Sequence, residues 1–148
     1  MIRISRLTDY AVTLLTQIVR EGHTALAASG LAEKAGLPPP TVAKVLKLLA
    51  KAGIIEAQRG ATGGYRLARP ASEISVAAII EALDGPIAIT DCAEGGDQDC
   101  MIQRICPMSG NWNKINYAVR GALEAVTLAD MAHNNVHRQV PVQAGVDA

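Results

Sequence analysis

The stretch Leu37-Pro38-Pro39-Pro40-Thr41-Val42-Ala43-Lys44-Val45-Leu46-Lys47-Leu48-Leu49-Ala50-Lys51-Ala52-Gly53-Ile54-Ile55-Glu56-Ala57-Gln58-Arg59-Gly60-Ala61-Thr62-Gly63-Gly64-Tyr65-Arg66-Leu67-Ala68 decides the fold. Its prolines make a rigid turn, because proline fixes φ and suits the first turn of a new helix. From about residue 40 to 52 the pattern is strongly amphipathic. Val42, Val45, Leu46 and Leu49 share one face, and Thr41, Lys44, Lys47 and Lys51 share the other. Gly53 ends that helix. Residues 54–58 and 64–68 then read as two strands, joined by the glycine-rich tip Arg59-Gly60-Ala61-Thr62-Gly63.

Upstream, Leu7, Ala11, Leu14, Leu15 and Ile18 recur at helical spacing, and Glu21-Gly22-His23 breaks the run. A short helix over residues 28–35 stops at Gly36 in the C-cap manner. Helix, helix, turn, helix and hairpin in that order make a winged helix-turn-helix, an order few other small folds produce. Downstream, Ser72 or Ser75 can cap a fourth helix through Ile79, Ile80 and Leu83, which Gly85-Pro86 terminates. Further on, Trp112, Ile115, Val119, Ala122 and Val126 keep a strict 3-4-3-4 spacing. That is just over two heptads of narrow apolar seam, suited to pairing with a second copy of the chain; the alternative is a helix packed on its own domain. Thr127-Leu128-Ala129-Asp130 can cap a last short turn, and the tail beyond Met131 reads as disordered. The expected architecture is mainly α with a small β-hairpin, a winged helix-turn-helix plus a long dimerisation helix. Its parts are a DNA-binding domain at 1–84, a loop at 85–107, a dimerisation region at 108–131 and a tail at 132–148.

A chain of 148 residues is one domain with room for a real core. It has no Phe and only Trp112, Tyr10, Tyr65 and Tyr117 as aromatics, so that core must be Ala, Leu, Ile and Val. No run approaches the roughly 18 apolar residues of a membrane span, and the first residues carry no export signal; a cytoplasmic protein is expected. The net charge of zero hides a split. Residues 1–70 carry ten Lys/Arg against four acids, and residues 71–148 carry four against ten. A basic N-terminal half is what a polyanion-binding surface needs.

On double-stranded DNA the third helix is the recognition candidate, since a helix fits the major groove with its N-terminal residues nearest the base edges. Thr41 and Lys44 are the base-contact candidates, and Lys47 and Lys51 the phosphate contacts, which bring affinity and salt dependence without sequence information. Arg59, with Gly60 on the wing, is placed to enter a minor groove. No catalytic constellation is present: Ser, His and acidic residues are scattered, and no phosphate-binding glycine loop follows a strand.

All three cysteines fall in one window, Cys92, Cys100 and Cys106, spaced C-x7-C-x5-C in a Gly- and Asp-rich loop. Thiolates grouped on a loop can converge on one soft metal or iron–sulfur centre. Three thiolates leave one coordination position to be filled elsewhere or left open. The odd count argues against a disulfide framework, and the alternatives are small buried hydrophobes or a zinc site that only stabilises the fold.

The assembled pattern resembles the Rrf-two family of winged-helix transcription regulators, which includes iron–sulfur regulators of the Isc and Suf assembly systems and nitric-oxide-sensing repressors. The matching segments are residues 7–12, 31–36, 59–65 and 74–82, completed by the three cysteines and Trp112. Residues 1–10, Cys106-Pro107 and 111–116 are most similar to the Suf-system regulators. The resemblance implies a homodimer on a pseudo-palindromic operator, acting as a repressor of iron–sulfur assembly genes. It also implies that Cys92, Cys100 and Cys106 bind a 2Fe–2S or 4Fe–4S cluster. The Isc regulator's histidine ligand corresponds to Ser109 here, and none of His23, His133 and His137 lies in the matching place. The nitric-oxide-sensing relatives use a first-helix aspartate from the partner, and Asp9 occupies that position. A nitric-oxide or iron-responsive repressor of the same family and a zinc-stabilised DNA-binding protein are the competing readings.

Overall fold

The computed structural model describes residues 3–22 and 24–133. Helix α1 (Arg6–Arg20) starts where the Ser5 hydroxyl accepts the Thr8 N–H at 3.1 Å, filling one of the donors a helix start leaves unpaired. Its buried stripe is Ala11, Leu14, Leu15 and Ile18, with Thr8 at the start. The Thr8 hydroxyl is satisfied by donating to Asp84 Oδ2 at 2.8 Å, which ties the beginning of the chain to the end of its fourth helix. Helix α2 (Ala28–Ala35) ends at Gly36, whose left-handed φ of 64° a glycine adopts without strain. Helix α3 (Pro39–Lys51) begins one residue earlier than its amphipathic pattern suggests, because Pro39 takes the first helical position, where its missing N–H is not needed. Val42, Val45, Leu46 and Leu49 are its buried face.

Strands β1 (Ile55–Gln58) and β2 (Gly64–Leu67) pair antiparallel, with Ile55 opposite Leu67 and Gln58 opposite Gly64. Leu26 adds a pairing that the sequence pattern hides. Its N–H donates to the Tyr65 carbonyl at 3.0 Å and its carbonyl accepts the Tyr65 N–H at 2.8 Å. The wing is therefore fastened to the segment that leads into α2. Gly64 permits this approach: a Cβ there would lie 2.4 Å from the Leu26 carbonyl oxygen, and its φ is +155°.

A single 3-10 turn, Ala71–Glu73, contains Ser72, so Ser75 is the residue that caps α4 (Val76–Asp84), its hydroxyl accepting the Ala78 N–H at 3.1 Å. Helix α5 (Asn111–Ala125) stops before Val126. Val126 is not part of the helical seam: its backbone is extended and its carbonyl accepts the Val76 N–H at 2.9 Å. The cause is the next residue. Thr127 opens a capping box for α6 (Leu128–Ala132), with the Asp130 carboxylate accepting the Thr127 N–H at 2.8 Å and the Thr127 hydroxyl accepting the Asp130 N–H at 3.2 Å. An N-cap residue is extended, so α5 cannot run through it. The apolar seam thus ends at Ala122. Nor does order stop at Met131, since Ala132 is helical and buried. The remainder of the expected tail, from residue 134, lies outside the described residues, as does His23.

The core is aliphatic, as a chain without Phe requires. Leu14, Leu15, Leu31, Leu46, Leu49, Ile74 and Ile79 are fully enclosed, and Leu128 of α6 joins the same cluster. Each such side chain contributes on the order of 1.5–3 kcal/mol by leaving water. Among the described residues no helix is long and apolar enough to cross a membrane.

Candidate nucleic-acid interface and cysteine loop

Burying one face of α3 leaves the other in solvent. Lys44, Lys47 and Lys51 are exposed and Thr41 is half-buried at the helix start. Arg59 and Gly60 are exposed on the wing tip, which closes through Gly63 N–H to the Gly60 carbonyl at 2.9 Å. A Cβ on Gly63 would stand 2.4 Å from the Gln58 carbonyl oxygen, so the tip requires glycine. Among the described residues no carboxylate pairs with Lys44, Lys47, Lys51 or Arg59. Lys34 and Arg66, by contrast, are neutralised by Glu21 and Glu56. Cations left unpaired on a helix face and a neighbouring wing have the charge pattern of a phosphate-binding surface.

The cysteine loop is built in two unlike halves. Its first half is closed by its own bonds: Ala93 N–H to Thr90 O at 3.1 Å, Gly96 N–H to Ala93 O at 2.9 Å and Gln98 N–H to Asp91 O at 2.8 Å. Ala93 is enclosed, and a Cβ on Gly96 would lie 2.6 Å from the Thr90 carbonyl oxygen. This half is fastened to α5. Asn116, 2% exposed, donates through Nδ2 to the carbonyls of Ile87 and Glu94 at 3.2 and 3.0 Å and accepts the Ile89 N–H at 3.1 Å. Asn113 accepts the Glu94 N–H at 2.8 Å, and the Tyr117 hydroxyl donates to the Glu94 carboxylate. That bond, with the carboxylate's charge adding, holds the Tyr117 phenol above its ordinary pKa. The second half, from residue 99, makes only successive turns, and it leaves Met101 97% and Ile105 82% exposed.

Cys92, Cys100 and Cys106 are all free and half-buried. Their donor chemistry fits a thiophilic metal or cluster. Their placement is open: among the described residues, no three Cys, His, Asp or Glu side chains stand together around one point. Cys92 lines a cleft of about 510 Å³ with Gln98, Gln103, Ser109 and Asn113, and neither Cys100 nor Cys106 reaches it. Asp9 sits exposed in the first turn of α1, outside that cleft. His133 follows α6 as its C-cap, and His137 lies outside the described residues. The site that the spacing predicts is thus present as ligands on one loop without being gathered.

Helix α5 is the least enclosed of the long helices, with Asn116 as its one buried residue. Trp112, Ile115 and Ala122 are exposed, Ile115 by 49%, and Val119 is half-buried. Sequence reasoning found this apolar seam and missed the polar one beside it. The signal available was three asparagines, Asn111, Asn113 and Asn116, in the first six residues of a helix where Asn is a poor former.

A winged helix-turn-helix with a basic face on its third helix is the architecture of a DNA-binding transcription regulator. Residues 4–134 match the family model Rrf2, described as iron-dependent transcriptional regulator. The chain belongs to the Rrf2 family. It is 30% identical over 131 residues to the HTH-type transcriptional repressor NsrR of Streptomyces coelicolor, covering 87% of each chain. Among solved structures it is similar to CymR, the global cysteine regulator of B. subtilis, with a TM-score of 0.70 and 27% identity over 89% of this chain and 97% of that one. It is also similar to T. potens IscR, with a TM-score of 0.64 and 28% identity over 88% and 85%.

Proposed function

We propose that the chain is an iron–sulfur-responsive repressor, homodimeric on operator DNA, that ties the state of its cysteine loop to transcription of Suf-type iron–sulfur assembly genes. The observation that carries this reading is the attachment of the thiol-bearing loop to α5, the same helix that leaves an apolar seam open to solvent. The family's description as iron-dependent and the likeness to NsrR and IscR support it. Cys92, Cys100 and Cys106 would hold the cluster, with the partner subunit's Asp9 as the fourth ligand. When bound, the cluster supplies a link among thiolates that oxidants and competing ligands can break. The chain's own residues do the rest. Trp112, Ile115, Val119 and Ala122 join the two copies, Thr41 and Lys44 read base edges, Lys47 and Lys51 meet phosphates, and Arg59 with Gly60 reaches the minor groove. Rearrangement of the loop's second half, passed to α5 through the attached first half, changes how the two reading heads fit half-sites a fixed distance apart.

The test is anaerobic purification followed by absorbance, iron and sulfide assays on one sample, with operator binding measured on loaded and metal-free protein. Brown protein with matched iron and sulfide, and an operator affinity that differs between the two forms, is expected. Replacing Cys92, Cys100 and Cys106 by Ala should abolish that difference. Colourless protein with zinc, or with no metal after reconstitution, would remove the sensing role and leave a winged-helix regulator of another signal.

A further inference from the structure

The one residue that α5 buries is polar. A helix held to its neighbour by apolar packing alone would place an aliphatic side chain there. Asn116 instead spends both amide hydrogens and its oxygen on three backbone groups, Ile87 O, Ile89 N–H and Glu94 O, which flank Cys92 on either side in the chain. Asn113 takes the Glu94 N–H, and Tyr117 takes the Glu94 carboxylate. A fully satisfied buried amide specifies one register of loop against helix, because any slip leaves buried donors and acceptors unpaired. Among the described residues nothing comparable holds Cys100 or Cys106. Beyond its own turns and its junction with α5, that half of the loop is tied among the described residues only by Gln103 Nε2 to Gln98 Oε1 at 3.1 Å.

We infer that Asn116 is a positioning residue that anchors Cys92 to α5, so that the half of the loop bearing Cys100 and Cys106 moves against a fixed thiol. A pull on the anchored half passes to α5 through the hydrogen bonds between the Asn116 side chain and the loop backbone. This inference deepens the regulatory reading and rests on it for the consequence at DNA, whereas the anchoring bonds lie within one chain and are tested without metal.

The test uses the full chain without metal and follows alkylation of each thiol by limiting iodoacetamide, resolved by mass spectrometry, in the parent protein, Asn116→Ala and Asn113→Ala. Asn116→Ala should raise the Cys92 rate about tenfold while Cys106 stays within about twofold, since only the opening that Asn116 restrains becomes easier. Asn113→Ala should give a smaller rise in the same direction. If Asn116→Ala fails to fold by circular dichroism, Asn113→Ala decides alone. An unchanged Cys92 rate, or equal acceleration of all three thiols in a folded variant, would overturn the anchoring. A second arm compares operator affinity of protein loaded with ferrous iron and sulfide against metal-free protein. Asn116→Ala should keep the absorbance of the loaded form and lose most of the affinity change. If the parent shows no change, the sensing reading fails, and the thiol rates still decide the anchor. If the parent and Asn116→Ala change equally, Asn116 transmits nothing and the inference falls.

Discussion

Lys47 and Lys51 present charges that no described carboxylate neutralises, and this sets what each can do to a polyanion. Lys47→Ala should weaken binding to all DNA sequences alike and reduce the salt slope of affinity by about 1, as loss of one phosphate contact does. Lys44→Ala should instead relax discrimination at one base pair, by about 1–3 kcal/mol, measured by competition with substituted operators. Gly64 makes a different demand, because its missing Cβ is what lets β2 meet Leu26. Gly64→Ala should destabilise the fold by about 1–3 kcal/mol in chemical denaturation, through strain and a displaced wing. At this scale the charged face was legible in advance, since lysines opposite Val42, Val45 and Leu46 have nowhere to point but outward. Asn116 was not, because a buried hydrogen bond depends on which backbone atoms a distant loop delivers.

Capping decides where the later helices start and stop. Thr127 and Asp130 form a reciprocal pair, and the Asp130 carboxyl is held below its ordinary pKa, first by the Thr127 N–H and then by the Thr127 hydroxyl. A depressed carboxylate contributes stability that is present above its unfolded pKa and disappears as pH falls through the folded one. The docking of α6 should therefore loosen on acidification below the ordinary aspartate range. The amide signals of Leu128 to Ala132, followed by NMR against pH, would show it, and Asp130→Asn should flatten the response. The stop at Gly36 and the cap of α4, expected at Ser72 or Ser75, could be placed from sequence because their signals are local, whereas the Ser5 cap of α1 was not read. The end of α5 could not, since apolar spacing continues smoothly into Val126 while the interruption comes from the cap of the next helix and the Val76 N–H.

For the whole molecule, the winged helix-turn-helix followed from element order alone, and the apolar face of α5 followed from its spacing as far as Ala122. Among the described residues the cysteines are not gathered, and one chain's spacing does not contain the arrangement that the proposed cluster would need. Ile115→Asp should turn the proposed dimer into a monomer by analytical ultracentrifugation and weaken operator binding, while leaving the single-chain fold intact because Ile115 is not in the core. One further consequence comes from α6, which packs on α1 and sends Leu128 into the core that Ala11, Leu14 and Leu15 begin. Helix α1 therefore cannot complete its packing until α6 has been made. A nascent chain halted within the cysteine loop has made every residue proposed to contact DNA and still lacks the piece that closes its core. Synthesis thus delivers the thiols before that core is sealed, so that a fully closed core arises only on chains that already carry the cysteine loop.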